Sequence, residues 1–218
     1  MHSYRLLYHS LAFVALLLLA SVLACTGKGA SSKAGGRDVH DAQKGSVSRT
    51  VLLLPLGTFS KPDALRLQQR LQAVCGSVRL LPSEPLPRSA WYAPRQRFRA
   101  DSLIHQMARR ARPGEVYIGV TDRDISSTKN GIADWGIMGL GYRPGPACVV
   151  STFRLHNRSR QEEFFKVAIH ELGHTVGLPH CPVRTCFMRD AEGRNPTGEE
   201  KEFCAGCRSR LIAQGWRL

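Results

Sequence analysis

Residues 170–180 read His-Glu-Leu-Gly-His-Thr-Val-Gly-Leu-Pro-His. Imidazoles and a carboxylate at this spacing suit a metal centre with hydrolytic chemistry. His170 and His174 lie four residues apart, so on a helix they point the same way, one turn from each other. Gly177 supplies the φ > 0 turn that ends such a helix, and the chain can then return His180 as a third ligand. Three protein ligands leave a fourth position open, which separates a catalytic zinc site from a closed structural one. A zinc there would lower the pKa of a bound water and polarise a scissile carbonyl. Glu171, next to the first ligand, is placed to act as general base, taking the proton of the zinc-activated water and passing it to the leaving amine. The whole string fits the long zinc motif H-E-x-x-H-x-x-G-x-x-H. At ordinary residue frequencies the short H-E-x-x-H form occurs by chance in about 0.5% of chains this long; adding Gly177 and His180 cuts that to roughly one in 10⁵. A fortuitous set of histidines on an amphipathic helix is therefore a poor account of it.

The cysteines form a second group. Cys181, Cys186, Cys204 and Cys207 read C-x₄-C followed by C-x₂-C. Four thiolates in two close pairs suit a tetrahedral structural zinc. Two disulfides are the competing reading for an exported protein, weakened by the strain of a bridge across two residues. Cys181 directly follows His180, so a metal there would fix the loop that carries the third histidine. Cys75 and Cys148 are left as either a disulfide or two buried thiols.

These groups need elements to hold them. Glu162 to Val176 reads as the key helix, with Phe164, Val167, Ala168 and Leu172 on one apolar stripe. Upstream, the run Val51–Leu54 reads as a buried strand. Ser60, Pro62 and Asp63 signal a helix start, Leu65, Leu67, Leu71 and Val74 carry its face to Cys75, and Gly76 stops it. Val78–Leu81 and Val116–Thr121 read as strands, with a proline-rich loop and a helix over Asp101–Arg112 between them. Gly136–Tyr142 and Cys148–Phe153 read as two further strands. Alternation of strand and helix predicts an α/β domain with a mainly parallel sheet.

The chain has 218 residues, enough for one catalytic domain. Its start does not belong to that domain. Arg5, the apolar run Leu11–Leu19 and small residues up to Cys25 form a secretory signal. Val22-Leu23-Ala24-Cys25 resembles a bacterial lipobox, in which Cys25 becomes the lipidated first residue; an ordinary cleaved signal is the plainer alternative. Residues 26–48 are rich in Gly, Ser, Lys and Ala and read as a flexible tether. The expected organisation is thus a lipoprotein-type signal peptide at 1–24, a tether at 25–48 and a domain over 49–218, anchored to the bacterial cell envelope at the outer membrane or facing the periplasm.

Lys and Arg number 31 against 17 Asp and Glu. These charges are spread along the chain without aromatic-interleaved basic motifs, so no nucleic-acid partner is expected. A soluble basic surface, or attraction to anionic membranes or acidic peptides, fits better. Arg143, Arg184 and Arg189, close to the site in sequence, would favour acidic peptides.

The stretch from His170 through Met188 to Cys207 resembles the archaemetzincins, a family of metzincin peptidases. Their pattern is the long histidine motif, then C-x₄-C-x-M, a spacer and C-x₂-C. Here the spacer between Met188 and Cys204 is 15 residues, somewhat short for the family. Arg95–Ala100 and Gly119-Val120-Thr121-Asp122 resemble the family's helix entry and central strand. The resemblance implies an α+β, zincin-like fold with a mixed, mostly parallel sheet packed on helices, and a small C-terminal zinc-clasp subdomain. It implies Met188 as a methionine turn beneath the catalytic zinc, and a sheet edge within Gly136–Tyr142 that pairs with extended substrate. The expected function is that of a zinc metallopeptidase with two zinc ions per chain, a peptide or protein substrate and a monomeric state. Endopeptidase and aminopeptidase action both stay open. A non-catalytic, zinc-stabilised lipoprotein that binds a partner is the rival from another class; Glu171 speaks against it, because a binding relic needs no base.

Overall fold

A computed structural model of the protein describes residues 49–218; the signal segment, Cys25 and the tether lie outside the described residues. The run Val51–Leu54 is apolar on both sides of the chain, and such a strand must be covered on both faces. It forms β1 (Thr50–Pro55), with Val51 and Leu53 in one apolar cluster and Leu52 and Leu54 in another. The first cluster holds α1 (Lys61–Cys75), α3 (Arg160–Thr175) and α4 (Ala205–Ala213) against the sheet, and the second holds α2 (Ala100–Ala108). Sheet alternation thus sets the layers directly.

The main sheet has five strands. Beside β1 lie β2 (Val78–Leu80) and β5 (Glu115–Thr121), and beyond β5 come β9 (Ala147–Ser151) and β8 (Gly139–Gly141). The first four run parallel, and β8 pairs antiparallel with β9 and leaves its other edge open. The mixed, mostly parallel sheet on helices is the one that the sequence pattern predicts.

Ser60 caps α1 by accepting a hydrogen bond from the Asp63 amide at 3.4 Å, Pro62 sits in its first turn, and Gly76 ends it at φ 82°. The second helix is shorter than expected: α2 stops at Ala108, and Arg109–Arg112 turn off toward Pro113. The segment Gly136–Tyr142 is not one strand. Its first two residues finish β7 (Ile132–Ile137), and β8 takes only Gly139–Gly141.

β7 belongs to a second, four-stranded sheet that the sequence reading does not anticipate. Its order is β3 (Trp91–Tyr92), β4 (Arg97–Arg99), β6 (Ile125–Lys129), β7. Asn130 and Gly131, both at positive φ, turn β6 into β7, which is the tight-hairpin chemistry that Asn-Gly favours.

Candidate active site

The α3 helix brings His170, Glu171 and His174 to the cleft beside the open edge of β8. It ends where Gly177 adopts φ 94°, with the Gly177 amide donating to His174 O at 2.8 Å and the Leu178 amide to Gly173 O at 3.1 Å. This reversal returns His180. The three imidazoles then stand 4.6, 5.4 and 4.9 Å apart by ring centre, and one nitrogen from each lies within 4.8 Å of the others.

Each ring is oriented by a partner behind it. His170 Nδ1 donates to Phe187 O at 2.6 Å and His174 Nδ1 to Leu178 O at 2.7 Å, while His180 Nδ1 lies 3.1 Å from Asp190 Oδ2. A hydrogen on every Nδ1 leaves each Nε2 lone pair free for a metal, the usual arrangement of a carboxylate or carbonyl behind a ligating histidine. Burial lowers His170 to about 3, aided by the nearby His174, and burial lowers His174 to about 4. Both rings are therefore neutral and ligand-ready at physiological pH. The three convergent nitrogens fit a zinc centre with an open position.

Glu171 is 7% exposed, and burial pushes its carboxyl up to about 8. The rim strand passes so close that a Cβ on Gly139 would fall 2.6 Å from Glu171 Oε1, and one on Gly141 would fall 2.7 Å from Glu171 O. Only glycine admits that approach. Below the histidines, Met188 is fully buried, and a Cβ on Gly173 would meet its sulfur at 2.5 Å. The glycine inside the histidine motif is thus matched to the methionine beneath it.

Cys181, Cys186, Cys204 and Cys207 converge, their sulfurs all within 4.8 Å. Cys181 Sγ and Cys204 Sγ stand 3.7 Å apart, far beyond a bond of about 2.05 Å and close to the about 3.8 Å edge of a ZnS₄ tetrahedron with about 2.3 Å arms. Amides of Met188 and Cys204 donate to Cys186 Sγ, at 3.5 and 3.3 Å, which suits a thiolate. The Cys207 amide is the main reason that Cys204 is held down to about 7. Four free thiols in this arrangement fit a metal and leave the two disulfides without support. The Cys181 amide also donates to Met188 O at 2.7 Å, so the first two cysteines, the methionine and the third histidine share one loop. Cys75 and Cys148 are buried free thiols in the main core.

The cleft measures about 700 Å³. Two acidic residues that the sequence reading missed belong to it: Asp190, behind His180, and Glu200, which is 5% exposed. The arginine rim differs from expectation. Arg184 and Arg189 share one carboxylate, Glu199, at 2.7 and 2.8 Å, which leaves that pair one net positive charge; Arg184 does not line the cleft, and of the three only Arg143 has no acidic partner among the described residues.

Comparison with known proteins agrees with this geometry. The model of Peptidase family M54 matches residues 116–213. An archaemetzincin of Halobacterium salinarum is 30% identical over 174 residues, covering 73% of this chain and 98% of that protein. Crystal structures of archaemetzincins from Methanopyrus kandleri and Archaeoglobus fulgidus superpose with TM-scores of 0.64 and 0.63 at 25% identity, covering 79% and 74% of this chain and 98% and 99% of theirs. A mostly parallel sheet, a ligand-bearing helix and a three-histidine centre define a zinc metallopeptidase of the zincin type. The chain belongs to the archaemetzincin family.

Proposed function

We propose that this metallopeptidase cleaves peptide bonds with Glu171 as its general base, a catalytic zinc on His170, His174 and His180, and a second, structural zinc on Cys181, Cys186, Cys204 and Cys207. The observation that carries the reading is the placement of Glu171: a carboxyl raised to about 8 by burial, beside three convergent, oriented imidazoles and against an open sheet edge. When bound, the catalytic zinc supplies a Lewis acid for water and for the scissile carbonyl. The chain does the rest. The free edge of β8 offers backbone donors and acceptors to an extended peptide. Glu171 takes a proton from the attacking water and returns it to the departing amine, a transfer that a carboxyl near neutrality performs in both directions. Gly139 and Gly141 hold the rim close enough to keep bulk water from the base.

The Cys25 lipid anchor and the tether belong to the same proposal, which places the peptidase, as a monomer, on the bacterial envelope. Radiolabelled fatty acid incorporated into the parent and absent from Cys25→Ser supports the anchor; equal labelling refutes it. Aminopeptidase action would further require an acceptor for the substrate's α-ammonium near the reacting carbonyl.

The purified protein, incubated with a broad peptide library, should release fragments, stop on chelation and resume on added zinc. Zinc analysis should give two ions per chain. A fully zinc-loaded protein that cleaves no peptide would favour the partner-binding rival.

A further inference from the structure

Glu200 lies in the 15-residue stretch between Met188 and Cys204. Its backbone carbonyl accepts a hydrogen bond from Lys166 Nζ at 2.6 Å, and Thr197 O accepts another at 2.7 Å. Lys166 is on α3, one helical turn before His170, so Glu200 is fastened to the helix that carries the first histidine. The carboxyl itself accepts no hydrogen bond and forms no ion pair within 4 Å among the described residues. The neighbouring cations are already engaged. Lys166 directs its hydrogen bonds to the two carbonyls, and Arg189 Nη1 to Glu199 and to Arg184 O, so neither donates to Glu200 although both keep their charge. Among the described residues, the sealed side-chain atoms without a hydrogen bond are Arg97 Nε, which still pairs with Asp124 at 2.7 Å, and Ser126 Oγ. The Glu200 oxygens are not among them, so they face the open cleft that the residue lines.

A buried carboxyl that the fold leaves without a donor is costly, and such groups are normally satisfied. Here the donor comes from the cleft, as water in the free protein or as a ligand group that displaces it. We propose that Glu200 is a specificity-determining residue that receives a cationic nitrogen of the substrate, from a lysine or arginine side chain next to the scissile bond or from a free N-terminus. Burial holds the carboxyl up at about 7 against the pull of Lys166 and then Arg189; an arriving ammonium would draw it to the ionised form. This reverses the acidic-peptide preference expected from the arginine rim. Rivals among the cleft's own groups are few: Glu171 serves as base, and Asp190 is occupied by His180 and, at 3.9 Å, by Lys129.

The proposal rests on the peptidase reading of this cleft, and its test separates the two. Acetylated five-residue peptides carrying Lys, Arg, norleucine or Glu at each position in turn are compared with unacetylated peptides lacking Lys and Arg, using the full zinc-loaded chain. Cleavage of the preferred cationic peptides should exceed that of norleucine peptides by at least roughly 10-fold in kcat/KM. Preference confined to acetylated Lys or Arg peptides assigns a side chain; preference confined to unblocked peptides assigns the N-terminus. Glu200→Gln should erase the ratio while leaving norleucine cleavage within about 3-fold. Glu200→Asp, which draws the carboxyl back by one methylene, should shift side-chain preference from Lys toward the longer Arg. An unchanged ratio in both variants overturns the proposal. If no peptide is cleaved, calorimetric affinities of the same peptides read the selectivity instead: equal affinity for Lys and norleucine peptides refutes it, and a cationic preference lost in Glu200→Gln supports it.

Discussion

At the level of single residues, the site is set by groups placed behind the obvious ones. Asp190 holds His180 by its Nδ1, as backbone carbonyls hold the other two rings. Asp190→Asn should weaken binding of the catalytic zinc by about 10–100-fold, measured by chelator competition; undiminished affinity would mean that the contact does not orient the ligand. Gly139 has a different duty. A methyl there would crowd Glu171 Cγ and Oε1 at 2.6 Å, so Gly139→Ala should cut kcat by about 100-fold while the zinc content stays at the parental value. Loss of zinc in that variant would point to general damage. The histidines and Glu171 were readable because their spacing is itself the signal. Asp190 and Glu200 were not, because each is one acidic residue in a polar stretch, and only folding brings it to the cleft.

At the level of elements, α3 is tied to the stretch between the two cysteine pairs. Glu163, near its start, accepts hydrogen bonds from Ser159, His156 and Asn195. Burial alone would raise its carboxyl; these bonds outweigh burial and hold it down to about 2. A depressed carboxyl stabilises the fold above its unfolded pKa, near 4.5, and that contribution fades as pH falls toward 2. Glu163→Gln should therefore cost about 1–2 kcal/mol at pH 7. The gap between parent and variant in denaturant titrations should close between pH 4.5 and 2; a constant gap would show that charge is not involved. β1, α1 and β5 were legible from apolar runs and caps. The second sheet was hidden because β4 reads Arg-Phe-Arg and β6 Ile-Ser-Ser-Thr-Lys, without a period-two apolar pattern. Asn130-Gly131 was the overlooked cue. The α4 helix escaped notice because its cysteine and arginines leave only Leu211 and Cys207 buried.

At the level of the whole molecule, two centres share one chain segment. Cys181 follows His180, its amide binds Met188 O, and Met188 supports Gly173 between two of the ligands. Emptying the cysteine centre should therefore loosen the catalytic one. In Cys207→Ser, hydrogen exchange should rise first across residues 178–207 while β1 and β5 stay protected, and affinity at the histidine centre should fall as well. Independent behaviour of the two centres would separate clasp from catalysis. One substitution isolates the role of Glu171. Glu171→Gln keeps the shape and removes the base, so the variant should hold the same zinc as the parent yet cleave peptides slower by at least about 100-fold. A zinc-replete Glu171→Gln that cleaves at the parental rate would contradict the account.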